Sequence, residues 1–201
     1  MNKKNTSLIF FSLLFLFALL TSSNSPKLEY KYSAQAYDIT CDEIDQKLLK
    51  EALYSFEDDI QNKYTPKYTN TFEAYRQYLF VGMSGKAPYS EIASEHSLQI
   101  MQELKKQDEL WIHDLTAQKI RLNYRHPLIA CLIENFTNED LKMTIKALDE
   151  NNALNTEILD SRMKSLVKVM QTDKYLATYV ALDSYYGRLY DLKIEDLNKE
   201  N

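Results

Sequence analysis

Three histidines, His96, His113 and His126, are the side chains of this 201-residue chain best suited to bind a metal or shuttle a proton. Glu109 and His113 stand four apart, as do Glu91 and Glu95, and His96 follows Glu95. On helices each pair would share a face, and two such helices can hold a metal inside a bundle. The di-iron pattern needs Glu-x-x-His on two helices, and the zinc protease pattern needs His-Glu-x-x-His. The chain contains neither. The histidines and their acidic neighbours therefore read as polar groups on helix surfaces, and no metal or other cofactor is expected.

Ser84 sits in Gly82-Met83-Ser84-Gly85. A nucleophile elbow needs Gly-x-Ser-x-Gly between a strand and a helix, so that the strained turn exposes the hydroxyl. The spacing here is one residue short, and a helix end followed by a turn explains it. Two carboxylates at the right separation can cleave a glycosidic bond. Glu134 is the acid to follow, because it ends the most apolar helical stretch, Leu128 to Ile133, where burial would raise its pKa.

Tyrosine is over-represented, with 15 residues. Tyr175, Tyr179, Tyr186 and Tyr190 fall along one side of the last predicted helix, and Tyr75 and Tyr78 lie on the second. Tyrosine buries a ring while keeping its hydroxyl wet. The four C-terminal rings are therefore a candidate groove for a peptide or sugar, or else they line the edge of a core. Cys41 and Cys131 are the two cysteines. They form either one disulfide, whose closure the chain-entropy model credits with about 4.6 kcal/mol at most, or two independent buried thiols.

The elements that must position these groups read as helices. Three glycines and four prolines leave few turn formers, and no Asn-Gly or Asp-Gly hairpin signal occurs. Thr40 and Glu43 form a capping box. Ile44, Leu48, Leu49, Ala52, Leu53, Phe56 and Ile60 follow at steps of three and four. Asn70 with Glu73 and Ser90 cap a second and a third helix. A fourth is predicted from Asp108 through Leu110, Trp111, Leu115 and Ile120. Pro127 opens a short apolar helix, and Thr137 with Asp140 caps the next. Ile158, Leu159, Met163, Leu166, Val167 and Met170 mark another, and Asp173 caps the last. The expectation is an all-α single domain, a bundle or irregular array of about eight helices over residues 40–194. A linker or loosely docked arm spans 26–39, and a frayed tail spans 195–201.

Ahead of the arm, Lys3 and Lys4 precede an apolar run from Leu8 to Leu20, then Thr21, Ser22, Ser23, Asn24 and Ser25. That order is a secretory signal peptide over residues 1–25, with cleavage near 23–25. The alternative is a retained membrane anchor, although the run is shorter than the ~20 residues a spanning helix needs. Removing Lys3 and Lys4 from a chain of net charge −5 leaves a mature charge of −7. An acidic surface repels nucleic-acid phosphates, so no nucleic acid is expected as a partner, and a membrane only if the leader is retained. The glycines are too few and scattered for a dinucleotide fingerprint or a P-loop. The reading is an exported protein, periplasmic or secreted. It is non-enzymatic and binds an unknown partner, another protein that it neutralises or scaffolds. The alternative is an extracytoplasmic hydrolase that attacks cell-wall or polysaccharide material with carboxylates.

Overall fold

A computed structural model describes residues 27–37, 39–114, 119–151 and 165–197. The leader with its cleavage point and the predicted helical stretch through Ile158, Leu159 and Met163 lie outside the described residues. The protein is all-α, carrying one small two-stranded sheet.

The helix α1 (Gln46–Tyr64) is the axis of the fold. Its apolar stripe, Leu49, Leu53, Phe56 and Ile60, is fully buried, as the three-and-four spacing requires. Its first turn is capped by Asp45, which accepts from the Lys47 N–H, rather than by Thr40 and Glu43. Cys41 is disulfide-bonded and Ile39 and Ile44 are buried, so the segment is pinned at these three points before the helix starts.

Asn70 caps α2 (Thr71–Gly82), accepting from the Glu73 N–H. The expected third helix is split into α3 (Tyr89–Ile92) and α4 (Glu95–Leu104). The break has a cause. Both the backbone N–H and the hydroxyl of Ser94 donate to Asp59 of α1, at 3.1 and 3.2 Å. That pulls Ser94 into an extended conformation, from which its hydroxyl oxygen caps α4 at the Ser97 N–H.

The expected fourth helix is a hairpin instead. Strands β1 (Trp111–Asp114) and β2 (Lys119–Leu122) pair antiparallel, with Trp111 opposite Leu122 and His113 opposite Ile120. Trp111, Ile112 and Ile120 are the aromatic and β-branched residues that a pleated surface favours. Over so few positions, apolar residues spaced three or four apart are compatible with either period.

Pro127 opens α5 (Pro127–Glu134), which buries Leu128, Ile129, Leu132 and Ile133. Next come α6 (Glu139–Glu150) and α7 (Val167–Met170). Asn138, not Thr137, accepts from the Leu141 N–H at the start of α6. Thr137 is occupied by Asp173, donating from its N–H at 2.7 Å and its hydroxyl at 2.8 Å. Asp173 also caps α8 (Lys174–Val180) through the Leu176 N–H.

From α8 the chain continues through a π-helical segment, Ala181–Tyr186, into α9 (Gly187–Leu189). The Ser184 carbonyl accepts from the hydroxyls of Tyr78 at 2.8 Å and Tyr89 at 3.2 Å. Those donors compete with the helix's own amides, and a locally widened helix accommodates them. Phe56 sits among the rings of Tyr75, Tyr78 and Tyr185 at 5.8, 5.0 and 5.1 Å, which places the aromatic centre of the core between α1, α2 and the π-helical segment.

Cys41 and Cys131 are joined, with their Cα atoms 5.9 Å apart. The bond ties the segment before α1 to α5. The region ahead of it is neither a linker nor loose: Leu28 and Ile39 are buried, and side chains of α1 hold the backbone of the arm.

Candidate functional site

The candidate tyrosine groove does not assemble. Tyr179 and Tyr186 are fully buried. Tyr179 packs edge-on against Phe136, and the Tyr186 hydroxyl donates to the Ala52 carbonyl of α1 at 3.0 Å. Tyr175 and Tyr190 are half-buried and serve different neighbourhoods. The Tyr175 hydroxyl lies 3.4 Å from the Thr40 N–H. The Tyr190 ring stands against Trp111 and beneath the Lys105 ammonium. Two of the four rings fill the core, and of these only Tyr186 spends its hydroxyl on a backbone carbonyl.

The interior also holds polar chemistry that the histidine reading placed on the surface. His96 is buried, and its Nε2 meets the Glu51 carboxylate at 2.6 Å. Ser97 and Tyr185 both donate to Asp59, at 2.6 and 2.5 Å, and the Ser55 hydroxyl lies 2.7 Å from that of Ser97. Burial raises the Asp59 pKa despite these donors. His96 is spent on Glu51 and does not activate a serine, so the cluster is built as an internal scaffold. Spacing alone gives no signal for it, because Glu51 and His96 are 45 residues apart.

Glu134 is exposed and paired with Lys146 of α6 at 2.5 Å. It is not the buried acid that a hydrolase would need. Ser84 ends α2 with its hydroxyl on the Val81 carbonyl, as a helix-end serine does. His113 is exposed on β1.

A surface notch of about 450 Å3 brings together Glu43, Lys106, Gln107, Asp108, His126 and Pro127. Three pieces of chain make it. The segment before α1 brings Glu43, the turn after α4 brings Lys106 to Asp108, and the start of α5 brings His126 and Pro127.

Local structure fixes each wall. The turn after α4 is closed by the Gln107 N–H on the Leu104 carbonyl and by the Trp111 indole N–H on the same carbonyl. It then passes through Glu109 at φ 57°, a left-handed conformation that costs a non-glycine residue roughly 1 kcal/mol. The Asn123 side chain, donating to the Glu109 carbonyl at 2.8 Å, holds the turn there. His126 caps α5 by accepting the Leu128 N–H at its Nδ1, 3.1 Å away. That bond places the ring's proton on Nε2 and makes the other side of the imidazole a donor. The disulfide clamps the Glu43 wall to the His126 wall, and the Glu43 carboxylate lies within 4.8 Å of both sulfurs.

The electrostatics of the notch are acidic. Glu103 answers Lys106 at 2.7 Å through both carboxylate oxygens. Glu43 and Asp108 have no hydrogen-bond or ion-pair partner among the described residues. The notch thus presents two uncompensated carboxylates, an imidazole donor and the Gln107 amide.

Asp183, on the π-helical segment, is a second perturbed acid. Tyr124 donates to its Oδ1 at 2.8 Å, while its Oδ2 and the Tyr179 hydroxyl are buried without a hydrogen bond. Burial pushes its pKa up to about 6, against the opposing pull of Tyr124, Arg188 and Arg121.

Among the described residues no helix is long and apolar enough to cross a membrane. No family model, no curated protein and no solved structure matches this chain.

Proposed function

We propose that this is an exported helical binding protein whose notch receives a lysine or arginine side chain from a basic partner protein. The observation that carries the reading is the pair of unanswered carboxylates, Glu43 and Asp108, on a rigid rim. A positively charged side chain entering the notch would find both acids while its neighbouring carbonyl faced the His126 Nε2 donor. The net charge of −7 after removal of the leader adds long-range attraction for a basic surface. Export is supported by the order of the leader and by a disulfide, which persists in oxidising compartments. A binding role is favoured over the hydrolase because the interior acids are committed to structural hydrogen bonds and Glu134 is paired at the surface.

A tetralysine peptide titrated into the exported chain at low salt tests the notch. The expected result is a set of amide NMR shifts centred on Glu43, Gln107, Asp108 and His126, abolished by E43Q combined with D108N and weakened between 50 and 500 mM salt as screening predicts. Shifts spread over the whole acidic surface, or unchanged in the double variant, would refute it.

A further inference from the structure

The two cysteines and their neighbour Glu43 make up the donor set of a zinc site. Zinc takes cysteine sulfur at about 2.3 Å and carboxylate oxygen at about 2.0–2.2 Å, arranged as a tetrahedron. Those bond lengths place a ligating sulfur and a ligating oxygen about 3.6 Å apart. The sulfurs of Cys41 and Cys131 and a carboxylate oxygen of Glu43 all lie within 4.8 Å of one another. The oxygen is therefore within about 1.2 Å of zinc-ligand spacing to either sulfur. The two Cα atoms stand 5.9 Å apart, so rotation of the side chains can share the sulfurs with one metal once the S–S bond is open.

The walls of the site do not depend on that bond alone. Ile39 and Ile44 are buried on either side of Cys41 and Glu43, and Leu128, Ile129, Leu132 and Ile133 bury α5 around Cys131. The Asn135 carboxamide donates to the Cys131 carbonyl at 2.9 Å, and its nitrogen lies 3.9 Å from the Cys131 sulfur. An N–H near a sulfur favours the thiolate that a metal requires. His126 is not a fourth ligand, because its Nδ1 accepts the Leu128 N–H and its proton is on Nε2. Cys41 is 1% exposed and Cys131 half-buried, while Glu43 opens onto the notch. The notch is thus the entry path, and its side of the metal is left for water.

We propose that the dithiol form of this protein is a zinc site, with the Cys41 and Cys131 thiolates and the Glu43 carboxylate as ligands. Zinc then replaces the disulfide as the clamp between the segment before α1 and α5. A dithiol reductant supplies two electrons and two protons to the disulfide and leaves as its own disulfide. Each cysteine thiol then loses its proton as its sulfur bonds the metal, so two protons are released for each zinc taken up. The site makes no use of a basic partner, so it and the reading of the notch can fail separately.

The test reduces the exported chain with a phosphine, which leaves as its oxide with an oxygen from water, and removes the reductant without air. Zinc is titrated against a competing chelator. One zinc per chain should bind after reduction and none in the oxidised chain. Cobalt in its place should show thiolate-to-cobalt charge-transfer absorption. Glu43→Gln should weaken zinc binding by the reduced chain at least about tenfold. A reduced chain that takes up no zinc, an oxidised chain that binds it as tightly, or an unchanged affinity in Glu43→Gln would each overturn the proposal. If the reduced chain loses its fold, zinc should restore its helical circular dichroism, at a concentration at least about tenfold lower for wild type than for Glu43→Gln. Failure to refold with zinc, or refolding of both at the same concentration, would refute it.

Discussion

Replacing Asp183 with asparagine should stabilise this protein above pH 6 and leave it nearly unchanged near pH 4. The carboxyl is 7% exposed, and burial pushes its pKa up to about 6 from the ordinary aspartate value of 3.8. The folded state therefore binds the proton more tightly than the unfolded state does. Stability from that preference is fully present below pH 3.8 and is lost as the pH rises through 6. The shift of about 2 units corresponds to about 3 kcal/mol at ~1.4 kcal/mol per unit. The group is buried, so little of this is screened by solvent. Asparagine keeps an oxygen to accept from Tyr124, puts an N–H donor where Oδ2 has no partner, and carries no charge to desolvate. Urea unfolding of both proteins at pH 4, 5, 6, 7 and 8 measures the effect. The difference between them should grow from near zero to as much as 3 kcal/mol, with a rise in Tm of roughly 6–12 °C at pH 8. Asp59 also titrates upward, but it is common to both proteins and cancels in the difference. A variant less stable than wild type at pH 8, or a difference that does not change with pH, would refute this account of the buried charge.

Glu43→Gln should speed reduction of the Cys41–Cys131 disulfide by dithiothreitol about two- to fivefold at low salt. The carboxylate lies within 4.8 Å of both sulfurs and repels the incoming thiolate. Rates that are equal at 10 mM salt would count against that repulsion. Gly82→Ala should destabilise the protein by about 1–3 kcal/mol in urea melts, although alanine is favoured over glycine in a helix by about 1 kcal/mol. A Cβ there would stand 2.5 Å from the ring of Tyr78, which is fully buried and held at Ser184, so it cannot swing away. A stabilised variant would show that the ring yields.

The stripe of α1 was legible because six apolar residues, Leu48 to Ile60, recur at helical spacing over more than three turns. The caps at Asn70 and Asp173 and the opening at Pro127 were legible because each depends on one residue next to its own helix. The failures share a different cause. Ser94 leaves the helix because Asp59, 35 residues away, takes its N–H and hydroxyl. Thr137 does not cap α6 because Asp173, 36 residues away, takes its N–H and hydroxyl, and Asn138 caps instead. The hairpin was missed because its strands are four residues each, too short for alternation to outweigh a helical spacing. The tyrosines of the last helix share a face in sequence. The π-helical segment and the depth of the core take Tyr179 and Tyr186 inside and leave Tyr175 and Tyr190 half-buried. The notch drew on residues from 43 to 127 that no motif links. Glu43, Asp108 and Pro127 had been read only as helix starts, and His126 alone had been read for its chemistry.

The disulfide couples compartment to site. It joins the segment that carries Glu43 to the helix that begins at His126, so the two walls of the notch are held by one covalent bond with a sequence separation of 90 residues. Closing so long a loop is worth about 4.6 kcal/mol at most in the chain-entropy model. Reduction frees that segment and lets Glu43 move away from the rim. A chain that stays reduced in the cytosol would therefore keep its core on α1 while losing the arrangement that answers a positive charge. Oxidation after export would build it. The tetralysine shifts should accordingly vanish in the Cys41→Ser, Cys131→Ser double variant while its helical circular dichroism persists. Undiminished binding by that variant would show that the notch does not depend on its clamp.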